Sequence, residues 1–422
     1  MILYKGGIYD TCFTEKLLSD LQSDVNDALL HKKIDTEKLI SAVDEISLRI
    51  SKGDYDDLIN SLEIDGIEEY KNRAAELLRR KNTELNLKAQ LPSLCELPGI
   101  GAYVAPVGVL FHIAAGNVDV LPAYSVLSGL FCGNVNVLKL PSQDNGITIK
   151  ILSELISIMP ELSDFIYVFD TPSSDVVSMI KMAEAADKII VWGGDEAVSA
   201  VRRLAPPAIP VVSFGHKISF AYIGADYEKY PAELTSLAEH IIKTCQLLCS
   251  SCQRIYINSG NPNDADEFCR FFLPYLQTAR GRYPLADIGA AAEATLSEYS
   301  RKIEKSLCGT RNGGERIYAG DGCRLTAKDD KTLDISGFFG QVDVSAVPIN
   351  ELFSVLRRKK GYLQTACIIA DEETKREAEK AAVAAGVTRL MKPGDMSAAF
   401  VGEAHDGAFE LSEYVRIINK EV

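Results

Sequence analysis

The 422-residue chain is 47% hydrophobic and 25% charged, which excludes a disordered polymer and allows two or three domains with sizeable cores. Its formal net charge of −14 argues against nonspecific nucleic-acid binding, which needs a basic footprint, but not against a locally basic pocket for a small anion. Residues 1–12, MILYKGGIYDTC, lack the apolar run of an export signal, and the ten cysteines, mostly scattered singly, fit reduced thiols in the cytoplasm better than a disulfide framework.

Residues 13–90 are expected to be mostly helical. FTEKLLSDLQSDVNDALLH sets Leu17, Leu18, Leu21, Val25 and Leu29 at helical spacing, and YKNRAAELLRRKNTELNLKAQL forms a second helix. Helices so charged fit a solvated cap, an oligomer contact or plain packing. GIGAYV (99–104) lacks the third glycine of a dinucleotide fingerprint and the strand before it. The most apolar region, 104–140, is broken by His112, Asn117, Asp119, Pro122, Gly133 and Asn134, so it reads as buried strand–helix–strand and not as a membrane span.

From about residue 103 the strands YVAPVGVLFHIA, VNVLKL, FIYVFD, KIIVWGG and IPVVSFG alternate with helices over 122–132, 146–158, 173–186 and 195–204. That alternation predicts parallel β-α-β units with both sheet faces covered. Ligands of such sheets gather beyond the carboxyl ends of the strands, which here carry Asn117, Lys139, Asp170, the pair Gly193 and Gly194, and Gly215. Two glycines before a helix let backbone approach a phosphate, and the free helix N–H groups attract it. Each feature alone reads equally well as a tight turn or a surface lysine; together on one sheet edge they favour a nucleotide site. Asp195 and Glu196 at the helix start are ordinary N-terminal acids that also oppose an anion.

A second unit begins with a helix from Pro231, expected to carry Leu234, Leu237, Ala238, Ile241, Ile242, Cys245, Leu248 and Cys249 on its apolar face and to end at two serines before the strand RIYIN. Strands are also expected in TACIIAD and GVTRLM, with a glycine-rich loop section over 308–340 between them and RIYIN. The tail HDGAFELSEYVRIINKEV is amphipathic and fits a docking segment or a bridge between subunits.

Within TCQLLCSSCQR, Cys245, Cys249 and Cys252 have the C-x3-C-x2-C spacing of a radical-type iron–sulfur ligand set. Against that reading, the first two fall at i, i+4 on a helix past the middle of the chain. Zinc lacks an evident fourth ligand, since His240 has no partner at H-x3-5-H spacing. Cys245 and Cys252 fit small buried hydrophobes. Cys249, at the helix-to-strand junction, fits a nucleophile able to take an acyl group, given an oxyanion donor and something to favour its thiolate. Three readings stand at this point: a thiol enzyme, an iron–sulfur or metal protein using the three cysteines, and an acyl-carrying scaffold without reductase turnover.

The stretches APVGVLFHIAAGNVDVLPAYS, CGNVNVLKLPS, IVWGGDEAV, VVSFGHKISFAYI, CQLLCSSCQRIYI, GYLQTACI and HDG follow one another as in the LuxC-type acyl-CoA reductases, a branch of the aldehyde dehydrogenase superfamily, which the chain resembles from about residue 90 to its end. The resemblance implies an α/β, aldehyde dehydrogenase-like fold of two parallel-sheet domains. Residues 1–90 would form a helical segment on the cofactor domain, 91–230 the Rossmann-like nucleotide-binding domain and 231–395 the catalytic domain. Residues 396–422 would form a tail returning to the first domain or making an oligomer contact. The resemblance makes Cys249 the nucleophile and Asn117 the amide that stabilises the oxyanion. It places Lys139 against the adenine-side ribose and Gly193 and Gly194 at the pyrophosphate, with Gly215 also on the cofactor side.

Three departures matter. Ser142 stands where NAD-preferring relatives often have a glutamate, which points to NADPH with NADH as the alternative. Ser213 stands where hydrolytic aldehyde dehydrogenases have a glutamate, so an acyl-enzyme lacks the base that would activate water. GFFG (337–340) replaces an E-x-F-G-like motif that holds the nicotinamide ribose. The implied activity is reduction of an acyl-CoA or acyl-protein thioester to the aldehyde, with no metal, in a homo-oligomer, beside an acyl-activating synthetase.

Overall fold

The computed structural model describes residues 1–60, 67–94, 100–114, 121–142, 144–285, 288–307 and 315–421. The chain forms two compact units, Met1–Gly215 with Phe400–Val422, and His216–Ala399. The sequence reading set the boundary near residue 230. Ile218–Ile223 instead belongs to the second unit, where it is hydrogen-bonded on both sides within that unit's sheet.

The first unit is built on strands β1 (Ile2–Tyr4), β2 (Gly7–Tyr9), β3 (Ile100–Pro106), β4 (Val109–Ile113), β5 (Val135–Lys139), β6 (Ile166–Phe169), β7 (Lys188–Trp192) and β8 (Val211–Phe214). Its seven-stranded sheet has the order β2-β1-β6-β5-β4-β7-β8. The five strands from β6 to β8 are parallel, and every residue of β4, β5 and β6 is buried. Their continuous apolar runs follow from cover on both faces. The sequence reading did not find β1 and β2, whose three residues each give periodicity too little to act on. β1 extends the sheet antiparallel to β6, and Ile2, Leu3 and Tyr4 are all buried.

Leu17, Leu18, Leu21 and Val25 of the helix Thr14–His31 pack into the same core as Phe111, Val137 and Tyr167. Leu29 does not: Ala28 takes the next buried place on the helix face, and Leu29 is exposed.

The second unit's sheet contains β9 (Ile218–Ile223), β10 (Cys252–Ile257), β11 (Arg316–Gly320), β12 (Cys323–Ala327), β13 (Gln341–Ala346), β14 (Leu363–Ile369) and β15 (Arg389–Met391), in the order β11-β12-β13-β10-β9-β14-β15. All neighbours are parallel except β11 with β12. The two-residue alternation of a strand divides its core. Ala221 and Ile223 pack with Leu237, Ile241, Phe268 and Phe272, while Phe220 and Tyr222 pack with Leu352, Val355 and Ala382.

The tail, in the first unit, forms the short helix Glu410–Glu413 and the strand β16 (Val415–Glu421), which pairs antiparallel with β3. Gln90 accepts the Leu411 backbone N–H through Oε1 at 3.1 Å and donates Nε2–H to the Glu403 carbonyl at 3.1 Å. Among the described residues no helix is long and apolar enough to cross a membrane.

Candidate active site

The helix carrying the cysteine segment runs Pro231–Lys243 and stops there. Proline suits its first position because that N–H has no helical acceptor in any case. The expectation that the helix continues through Cys249 is incorrect: Cys245 and Gln246 have φ of +47° and +62°, a left-handed turn that no helix accommodates. Leu248, expected on the apolar face, is exposed. Cys245 and Cys249 therefore do not share a helix face.

Gln246 holds this turn. It is fully buried, and its Nε2 donates to the Cys252 carbonyl (3.1 Å), the Gln341 carbonyl (3.2 Å) and Ser336 Oγ (2.8 Å). Its Oε1 accepts the Gly340 N–H at 3.0 Å, and its backbone carbonyl accepts Gln253 Nε2–H at 2.7 Å. Gln253 Oε1 in turn accepts from the backbone N–H and the hydroxyl of Ser336.

The loop so anchored is GFFG, in which Phe338, Phe339 and Gly340 have φ of +58°, +49° and +85°. Glycine is needed at 340, where a Cβ would meet Arg280 Nη2 and Ile242 Cδ1 at 3.0 Å. The Phe339 N–H returns to the Cys245 carbonyl at 2.9 Å, and Arg280 Nη2 donates to the Phe339 carbonyl at 3.0 Å. Among the described residues, four of the seven non-glycine residues with positive φ thus lie on two loops bonded to each other. Such backbone costs about 1–3 kcal/mol per residue and persists only where the surroundings over-determine it, as functional sites do.

Three thiols in this segment have three fates. The buried Cys245 Sγ donates to the Ile242 carbonyl, and the buried Cys252 Sγ to the Arg254 carbonyl. Burial pushes the Cys252 thiol up to about 12. Cys249 is exposed, and its sulfur accepts Gln364 Nε2–H at 3.4 Å. Its carbonyl accepts the Ser219 hydroxyl at 2.7 Å. The adjoining His240 lies in the core, its pKa lowered to about 4 by desolvation, so a neutral ring accepts the Cys252 N–H. No cluster of three or more metal-type ligands occurs among the described residues. Cys12 is also exposed, and its hydrogen bond with Asp10 raises its thiol pKa, which disfavours its thiolate.

The cysteine precedes β10, so this site forms at the amino ends of the second sheet's strands. The first sheet has its candidate residues at the carboxyl ends. Lys139, the last residue of β5, is buried, and its Nζ donates to Ser173 Oγ beyond β6 at 2.9 Å. Burial lowers its pKa and Asp170 partly restores it. Ser142, three residues on, is exposed. Gly193 and Gly194 link β7 to the helix Asp195–Leu204. Gly194 is its N-cap, with open space where a Cβ would stand; the same is true of Gly215 after β8. Trp192 and Phe214, at the ends of β7 and β8, stack at 4.0 Å, with His405 of the HDG motif edge-on to both. Asn117 lies outside the described residues.

A buried ammonium, an open glycine turn at a helix start and no carboxylate at 142 fit the phosphates and ribose of a dinucleotide. The sequence reading missed Gln246, Gln364 and Ser219. For Gln364 the available signal was a glutamine inside the otherwise buried strand sequence LQTACII.

The fold is that of the aldehyde dehydrogenases: indole-3-acetaldehyde dehydrogenase in complex with NAD+ superposes with a TM-score of 0.72 at 14% identity, over 97% of this chain and 89% of that one. The chain belongs to the acyl-CoA reductase (LuxC) family, whose model matches residues 32–417 and so takes in the helical N-terminal segment from residue 32 on, past the helix Thr14–His31. It is 26% identical over 337 residues to the long-chain acyl-protein thioester reductase of Aliivibrio fischeri, covering 77% of this chain and 67% of that protein. It is 23% identical over 319 residues to long-chain acyl-protein thioester reductase 2 of Photobacterium leiognathi, covering 75% and 64%. The matches thus span about two thirds of the length of these relatives.

Proposed function

We propose that the protein reduces an acyl thioester to the aldehyde through an S-acyl intermediate on Cys249. The observation carrying this reading is the exposure of that one thiol between two buried cysteines, on a loop with left-handed residues held by Gln246, in a chain of the acyl-CoA reductase family.

The Cys249 thiolate attacks the thioester carbonyl, forming the S–C bond as the carbonyl electron pair moves onto oxygen. The backbone N–H of Cys249 and the Asn117 amide are the donors assigned to that oxyanion. The oxyanion collapses and expels coenzyme A or the carrier thiol, leaving the acyl group on sulfur. NADPH, with NADH as the alternative, supplies a hydride to the acyl carbon when bound. Lys139 and the turn at Gly193 and Gly194 would hold its ribose and pyrophosphate, and Ser142 sets no carboxylate against a 2′-phosphate. The resulting thiohemiacetal releases aldehyde and regenerates the thiolate.

Ser213 is no base, and its hydroxyl accepts Arg202 Nη2–H at 3.2 Å, so it does not activate water against the acyl-enzyme. The acyl donor is an acyl-CoA or an acyl-protein thioester, and the likeness to long-chain acyl-protein thioester reductases favours testing a long-chain acyl group carried on a protein.

Intact-protein mass spectrometry with acyl-CoA of graded chain length, followed by NADPH, tests this reading. A mass gain on the Cys249 peptide that disappears with NADPH is expected. Turnover by Cys249→Ala, or an acyl group mapped to another residue, refutes it.

A further inference from the structure

The ladder of the second sheet is irregular at one level on both sides of β9. On one side Cys252 pairs with Ser219 and Arg254 with Phe220, leaving Gln253 as an extra residue. On the other, Leu363 pairs with Ile218 and Ala366 with Phe220, so Gln364 and Thr365 together face Ser219. Ser219 joins this break to the cysteine loop: its Oγ accepts the Thr365 N–H at 3.0 Å and donates to the Cys249 carbonyl at 2.7 Å.

A bulge turns a side chain out of its regular direction. The glutamine in each bulge is directed at the cysteine loop. Gln253 braces Gln246 and Ser336, and Gln364 brings its amide to the Cys249 sulfur. Gln364 is 4% exposed, and its own carbonyl accepts the Thr388 N–H at 3.0 Å, so the residue is fixed at its backbone as well. Its hydrogen bond to the sulfur grows stronger when that sulfur becomes an anion.

We infer that Gln364 aims and activates the Cys249 thiol: its side-chain N–H is the donor that favours thiolate over thiol, and Ser219 fixes the backbone of the same cysteine. Deprotonation to solvent leaves the electron pair on sulfur, and the amide N–H holds it until the pair forms the bond to the acyl carbon. What the thiolate then attacks rests on the reading above; its stabilisation by Gln364 does not.

The test follows alkylation of Cys249 by iodoacetamide in the full-length protein against pH, quantified on the Cys249 peptide, with no thioester or cofactor present. Gln364→Met keeps volume and removes the donor. The midpoint of its rate profile is expected to rise by about one pH unit, with about tenfold slower alkylation at pH 7. Gln364→Glu keeps the shape and sets a carboxylate beside the sulfur, so its rise is expected to be larger. Wild-type profiles in both variants overturn the inference. So does a shift in the methionine variant alone, which would make packing the cause. Failure of Cys249 to take an acyl group would refute the reductase reading and leave these profiles unaffected.

Discussion

Replacing Gln246 with alanine removes the side-chain ties between the cysteine loop and the GFFG loop and leaves the Phe339 N–H to Cys245 carbonyl bond between them. The buried side chain makes three donor contacts and accepts one backbone N–H, that of Gly340. Of these partners, Ser336 Oγ still accepts the Phe338 N–H and donates to Gln253, so it is not orphaned. The Gly340 N–H is buried and loses its acceptor, at about 1–3 kcal/mol. The vacated volume beside Gly340 and Cys252 adds a cavity cost, giving about 3 kcal/mol together.

Thermal melting registers that as a fall of about 6–12 °C for a unit of this size. Once untied, the left-handed residues 245, 246, 338 and 339 relax toward ordinary backbone, which recovers part of the energy and displaces Cys249. Activity should therefore fall further than stability: acyl-enzyme formation at 25 °C, where the variant is still folded, should drop by more than tenfold. Hydrogen exchange at Phe339 and Gly340 should accelerate, because their acceptors lie on the cysteine loop. A melting point within about 1 °C of wild type, with protection retained at both amides, would falsify the view that Gln246 ties these loops.

Cys249→Ala should abolish acylation and reduction, while Cys245→Ala and Cys252→Ala should retain most activity, with losses traced to packing by melting temperature. Ser142→Glu should lower kcat/KM for NADPH at least tenfold relative to NADH, and an unchanged ratio refutes the assignment of this strand end to the 2′-phosphate. Glu410, buried with Tyr414 donating to its Oε1 at 2.8 Å, has its pKa raised from 4.5 to about 7 by desolvation. Its stability contribution is full below pH 4.5 and is lost as pH rises through 7, by about 3 kcal/mol at most. Glu410→Gln should flatten the melting profile above pH 5 and spare the acid limb owed to His112 and His240, whose pKa values of about 4 lie below the ordinary 6.5. An unflattened profile excludes Glu410 as the source.

The alternation of strands and helices was legible because parallel strands covered on both faces must be continuously apolar, and the helix Asp195–Leu204 falls where its glycine start and charged ends place it. β1 was not legible: three apolar residues carry no period, and their burial comes from pairing with β6, far away in sequence. The overextended helix has a different cause. Cys245, Leu248 and Cys249 continue the helical spacing, and the stop comes from a left-handed turn built without glycine or proline, which leaves no mark in the sequence.

Cys249 was legible as the thiol at a junction, yet its partner Gln364 was not. In a regular ladder, whether Gln364 reaches the cysteine depends on a register that only Ser219 reveals, by taking up the Thr365 N–H and letting β14 bulge. The same serine fixes the Cys249 carbonyl. A single hydroxyl therefore sets both the backbone of the nucleophile and the direction of its donor, and its loss should move the two together. Ser219→Ala leaves the Thr365 N–H without its acceptor, so the bulge is expected to relax and withdraw Gln364 from the sulfur. The alkylation midpoint of Cys249 should then rise as it does in Gln364→Met, and adding Gln364→Met to Ser219→Ala should raise it little further. Full additivity of the two shifts would mean that Ser219 and Gln364 act on the thiol separately.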